Sequence, residues 1–411
     1  MKNIFTPLFP EKSISRNAWI YALGTYSSKI ISIIIFPIIA VELGYADTGR
    51  YDLVISTVAI LGPVFSMQIA DAIYRWLTDA DDQNKVIGFT NGTAVLLTMT
   101  VLLAVITFFA KLSGPAPLLL VGAAILMSQM LLNTMMQVLR GNSQVKLYAG
   151  AMIVRSVVFT LGELWAVFYS ENKLENVLAA FAVANLASLV VCVSWGIKRD
   201  QFSFHFLRWR HIKALLSYAL PLVFNTLGWL LLINANKYII KSQLGFEMNG
   251  IFAVAEKLAT PVFFLGIFYF FSAQDHFHVK KDFKSLKGEF RQLLKKVSLI
   301  TSGGVVLLLV GVYLLLPLIF PDLAASIEYL PLMVLANLFM ILGVYLSIPY
   351  TYHKKSMALA TTTLKGFVVT LVLSIALVNA MGLYGVYIGI LAGTFLTMVL
   401  RVRFARSFFK S

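Results

Sequence analysis

Seven charged side chains lie inside long apolar stretches of this 411-residue sequence, away from their edges: Lys29, Arg155, Glu163, Lys237, Glu256, Lys257 and Lys365. Charge at membrane depth is costly, so it faces water or a partner of opposite sign. Five of the seven are cations. A proton or sodium transporter would more naturally bury carboxylates, whereas a cationic interior suits an anionic substrate such as phosphate or pyrophosphate. Lys29 lies about 16 Å along its stretch, too deep to reach an interface easily, and shares a helical face with Thr25 and Ser32. Arg155, Lys237 and Lys365 lie nearer the ends of theirs, where a long side chain reaches an interface as readily as a cavity. Glu256 and Lys257 suit pairing with neighbouring helices. Asp71 and Arg75, four residues apart, have the spacing of a helix-surface ion pair. In a functional reading Arg75 stands at the cytoplasmic mouth of a cavity.

Uncharged groups add to this set. Asn225, Trp229, Asn234 and Asn236 share one stretch and supply the amides and ring that hydrogen-bond and stack on sugars; membrane helices also use Asn for packing. Pro63 and Pro261 interrupt two other stretches at matching places, and a proline removes a helical hydrogen bond and kinks the helix. Matched interruptions point to gating helices at a transport site. Catalytic and metal motifs are weak. Asp79-Ala80-Asp81 reads as an acidic loop, His276-Phe277-His278 lacks a third ligand at suitable spacing, and no phosphate-binding loop is present. No catalytic residue, metal or cofactor is expected, and the chain does not read as an enzyme.

The elements that must carry these residues follow from composition. Hydrophobic residues make up 59% and charged residues 13% of the chain, against roughly 25% charged in soluble domains. Twelve stretches have bilayer-spanning length, at about 18–41, 50–70, 86–110, 116–139, 147–169, 176–196, 214–240, 249–272, 297–320, 327–349, 357–379 and 382–400. The net charge of +15 concentrates in alternate connections, 25 Lys and Arg in one set against 4 in the other. The positive-inside rule then puts both termini in the cytoplasm, and the excess reads as loop charge rather than nucleic-acid binding. The single cysteine, Cys192, rules out an intrachain disulfide.

The chain also repeats itself. Ala18, Thr25, Ile38, Ile39, Leu43, Gly44 and Gly49 align at constant offset with Ala219, Thr226, Ile239, Ile240, Leu244, Gly245 and Gly250. The expected fold is therefore an all-α polytopic membrane protein of about twelve transmembrane helices. They form two six-helix lobes related by pseudo-two-fold symmetry, at 1–197 and 214–411, with a basic cytoplasmic linker at 198–213 as hinge.

The order of features resembles the Wzx-type polysaccharide and O-antigen flippases of the multidrug/oligosaccharidyl-lipid/polysaccharide (MOP) superfamily. The resemblance rests on Leu43-Gly44 through Gly49-Arg50-Tyr51, Asp71-Ala72-Ile73-Tyr74-Arg75, Leu139-Arg140-Gly141-Asn142, and Asn236-Lys237-Tyr238-Ile239-Ile240 through Gly250-Ile251-Phe252 to Glu256-Lys257-Leu258. Where that family often has an acidic residue before the basic one near the end of its seventh span, this chain has Asn236. The resemblance implies a MATE-like fold and translocation of an undecaprenyl-pyrophosphate-linked oligosaccharide across the bacterial inner membrane. The mechanism it implies is alternating access around a cationic central cavity. A polysaccharide polymerase and a chain-length regulator would be partners in such a pathway; nucleic acid would not. Two other readings stand beside it. One is a cation-coupled drug or solute exporter of the same superfamily, which wants a buried acid in the first lobe, where Glu163 is the candidate. The other is a membrane-embedded glycosyltransferase or polymerase, which wants a sizeable outer loop.

Overall fold

The structure is a computed structural model. It describes residues 16–78, 81–112, 117–197, 201–267, 270, 273–274, 277, 286–353 and 355–408, with side chains from Ile31 onward except those of residues 225, 229, 232, 356, 407 and 408. Among these residues there are thirteen α-helices and no strand. They are α1 (Arg16–Ser66), α2 (Ile69–Leu77), α3 (Asp82–Leu112), α4 (Pro117–Gly141), α5 (Val145–Tyr169), α6 (Lys173–Gly196), α7 (Trp209–Ile267), α8 (Lys287–Ile319), α9 (Ala324–Ile327), α10 (Leu330–Tyr345), α11 (Ile348–Tyr352), α12 (Ser356–Met381) and α13 (Leu383–Phe408).

Among the described residues, ten stretches are long and apolar enough to cross a membrane. Two of them belong to α1 and α7, whose 51 and 59 residues would extend about 77 and 89 Å if straight, well beyond a hydrocarbon core of roughly 30 Å. Each breaks at one glycine, Gly44 at φ 72° and Gly245 at φ 88°, a conformation open to glycine at no steric cost. Each is thus two passes joined by a turn, which brings the ten stretches to the twelve passes expected. Large apolar side chains left exposed along these helices, such as Phe108, Phe109, Leu307 and Leu318, are the surface that hydrocarbon would cover.

The helices pack as two compact units. One holds Ser15–Ile35 and Arg50–Asn234, the other Phe36–Gly49 and Ala235–Ser411. Division by packing thus differs from division by repeat, since α1 and α7 each contribute to both units. In the first unit the connector after α6 is fastened rather than free. The Asn91 amide of α3 donates to the Phe206 carbonyl at 2.9 Å, its oxygen accepts from the Arg208 N–H at 3.1 Å, and Thr90 Oγ1 accepts from the Ser203 N–H at 3.1 Å. The described part of the expected hinge is therefore tied to a spanning helix. In the second unit α12 and α13 approach closely along small residues. Gly385, Gly389, Gly393 and Thr397 recur at every fourth position, and a Cβ on any of the three glycines would run into α12. Without a hydrophobic drive between helices in lipid, such close backbone contact is a main source of association.

The two glycine-bounded turns meet inside the second unit. A Cβ on Gly49 would strike the Phe246 carbonyl oxygen, and a Cβ on Gly250 would strike that of Tyr45. The Asn249 amide donates to the Gly49 carbonyl at 2.9 Å. The aligned residues of the repeat are therefore in reciprocal contact.

Candidate functional site

Among the described residues, two clusters of buried and half-buried ionisable groups stand out, one per unit. The first lies among the second pass of α1 and helices α4, α5 and α6. Asp52 and Glu163 are both buried, and with Arg155 they lie in electrostatic reach of Tyr51. The Arg155 Nε donates to Asn185 Oδ1 at 2.7 Å, and its guanidinium lies 4.8 Å from the centre of the Phe181 ring. Asn185 in turn donates to Ser128 Oγ at 3.2 Å. Arg155 is thus held by α6 through a polar chain reaching α4, and a delocalised guanidinium suits hydrogen bonding and ring stacking together.

The second cluster lies on α7. Lys237 is buried, and its Nζ is 2.9 Å from Glu256 Oε2. The two residues come from opposite sides of the break at Gly245, so the ion pair staples the passes together. The charge of Lys237 is thus directed to Glu256. Asn236 is buried with its Oδ1 unpartnered among the described residues. Lys257 lies 5.6 Å from the centre of the Phe36 ring, whose face attracts a cation. Beyond the pair, Tyr387 is fully buried and stacks on Tyr329 with ring centres 5.3 Å apart.

The other candidates are dispersed. Asn234 is buried and donates to the Leu230 carbonyl of its own helix. Arg75 and Lys365 are exposed. The expected pairing of Asp71 with Arg75 does not form. Asp71 instead accepts from Gln137 Nε2 at 2.9 Å; burial pushes its carboxyl above the usual range, while Arg140 and Gln137 pull it back. The short α2 packs its Ile69, Ala70, Ala72, Ile73 and Leu77 face inward, which turns Asp71 toward α4 and Arg75 away. Pro63 and Pro261 both lie within continuous helix. Met67 and Gln68, one turn beyond Pro63, both have positive φ and separate α1 from α2. The side chains of Lys29, Asn225 and Trp229 lie outside the described residues, as do Asp79, Ala80, His276 and His278. Asp81 accepts from the Gln83 N–H at the start of α3, the work of a capping residue.

Two buried groups were not among the candidates. Asp52 stands near the start of the stretch at about 50–70, directly after Arg50-Tyr51, and is buried. Arg401, directly after the last apolar stretch, is also buried. Its guanidinium donates to Thr362 Oγ1 at 3.2 Å, the Gly343 carbonyl at 2.7 Å and Thr363 Oγ1 at 2.8 Å, so it ties α13 to α12 and α10. The readable signal was Thr361-Thr362-Thr363, a run of hydroxyls near the start of an apolar stretch.

Twelve apolar passes with ionisable groups buried among them are the build of a multi-pass membrane transporter. Solved structures of that kind share the fold. An inward-facing multidrug resistance MATE family transporter of the MOP superfamily is 15% identical, with 93% of this chain and 94% of that one covered and a TM-score of 0.66. The lipid II flippase MurJ in an inward closed conformation is 14% identical, with 95% and 87% covered and a TM-score of 0.68. A MATE structure in the straight conformation is 14% identical, with 96% of each chain covered and a TM-score of 0.60. No individually curated protein matches the sequence. The model of the polysaccharide biosynthesis protein family matches residues 14–273, and the chain belongs to that family. The resemblance to MOP flippases read from the motifs is borne out in both family and fold.

Proposed function

We propose that the protein is a flippase that carries an undecaprenyl-pyrophosphate-linked oligosaccharide from the cytoplasmic to the outer leaflet of the bacterial inner membrane. Its product would feed synthesis of a surface polysaccharide such as O-antigen, capsule or exopolysaccharide. The observation that carries this reading is the polysaccharide biosynthesis family match over residues 14–273; a fold shared with a lipid II flippase supports a lipid-linked substrate. Alternating access would move the substrate, with cations of the spans receiving the pyrophosphate and Asn225, Trp229, Asn234 and Asn236 the sugars. Lys29, Arg75, Arg155, Lys257 and Lys365 would offer charge to the phosphates, and Lys237, with Glu256 beside it, would offer less. Pro63 and Pro261 would shape the moving helices.

The test is export of surface polysaccharide in a host lacking its own flippase, at matched protein levels. Lys29→Ala should abolish export, Lys29→Arg should retain part of it, and Lys29→Glu should be worst, because it repels the phosphate. Parental export by both Lys29→Ala and Lys29→Glu would remove the cationic-site reading.

A second reading, a cation-coupled exporter, gains from one observation: Asp52 joins Glu163 as a second buried carboxylate in the first unit. Drug efflux lost in Asp52→Asn and Glu163→Gln, with polysaccharide export intact, would favour it.

A further inference from the structure

A groove in the unit containing residues 235–411 has no part in the proposed transport reading. It opens between α8, α10 and α13 with a volume of about 520 Å³, within the range of small-molecule sites. Arg291, Lys295, Ser298 and Ser302 line it from α8, at spacings of four, three and four that put them on one helical face. Leu299, Leu342, Met398 and Val402 supply its apolar walls. Arg291 and Lys295 are exposed, and among the described residues neither has a carboxylate partner. From Arg291 to Ser302 the helix rises about 16 Å, close to half of a hydrocarbon core of roughly 30 Å. All the lining positions lie toward basic helix ends: the start of α8, and the ends of α10 and α13, where Arg401, Arg403 and Arg406 cluster. The groove is cationic at its rim, apolar along its length and one leaflet deep. A long polyprenyl chain would overrun it.

We propose that this groove binds an anionic glycerophospholipid of the leaflet facing the basic helix ends. The lipid phosphate sits between Arg291 and Lys295, and one acyl chain lies along Leu299, Leu342, Met398 and Val402. The positive-inside rule makes that leaflet cytoplasmic, the side on which anionic headgroups attract basic segments. The charge complementarity sits at one end only, which orients the lipid and separates it from a neutral one.

The test uses the full-length protein in detergent micelles, titrated with phosphatidylglycerol and followed by native mass spectrometry. The parent should retain phosphatidylglycerol in preference to phosphatidylcholine. The Arg291→Ala/Lys295→Ala double variant should bind it about tenfold more weakly or worse, the scale of losing charge-assisted hydrogen bonds. Ser302→Phe, which fills the groove and leaves its charges in place, should also weaken binding, whereas Lys296→Ala should not. Parental binding by the double variant, equal binding of phosphatidylcholine, or an equal loss in Lys296→Ala would overturn the proposal. So would preferential displacement of phosphatidylglycerol by undecaprenyl phosphate, which would give the groove to the transported carrier instead.

Discussion

Lys237 and Glu256 show what a buried charge demands of its surroundings. Their separation of 2.9 Å, with side chains 6% and 21% exposed, leaves little water to stabilise either one alone. Removing one partner strands the other, which costs about 3 kcal/mol, whereas replacing both with apolar groups of similar volume is nearly neutral. Lys237→Met should therefore lower the melting temperature of the solubilised protein, and Lys237→Met/Glu256→Met should recover most of the loss. Equal melting of single and double variants would show that the pair does not couple the two passes. At this scale the sequence was only partly legible. It marked Lys237 and Glu256 as charges within spans without showing that they meet, because a helix break separates them and only the fold sets their distance. It missed Asp52 and Arg401 for a different reason. A charge at the edge of an apolar stretch reads as solvated, and burial there depends on neighbouring helices that no local pattern reveals.

The elements depend on such anchors. Arg401 holds three acceptors on two other helices, and a lysine cannot reproduce that fork. Arg401→Lys should be destabilised, and Arg401→Ala should lose about 2 to 4 kcal/mol, read as a lower melting temperature and earlier proteolysis near α13. Parental melting of both variants would make the fork incidental. Glycine contacts set a second element-scale expectation. Alanine at Gly49 or Gly250 forces a backbone carbonyl to move, so either variant should insert poorly or melt early, while alanine at Gly150, where a Cβ meets nothing, should behave as the parent. The elements themselves were legible, since long apolar runs and flanking charges are local signals, and the glycine turns were readable from the repeat. The break at Met67 and Gln68 was not. Neither residue is a glycine or a proline, so nothing local marks it.

For the whole molecule, the alternation of 25 basic residues against 4 predicts that both termini lie in the cytoplasm. Reporter fusions after Lys410 and near Lys284 should both give cytoplasmic signals, and a periplasmic signal at either place would overturn the parallel arrangement of the two halves. The same experiment meets a practical limit set by the turns at Gly44 and Gly245. Short glycine turns between spans are the usual places to insert an epitope or a cleavage site. Here each turn is the mould in which the other is cast, with Gly49 against Phe246 and Gly250 against Tyr45. An insertion in one would dislodge its mate two hundred positions away, so these tips are poor ports for a tag. The turn between α5 and α6, at Ser170–Asn172, offers a more tolerant one.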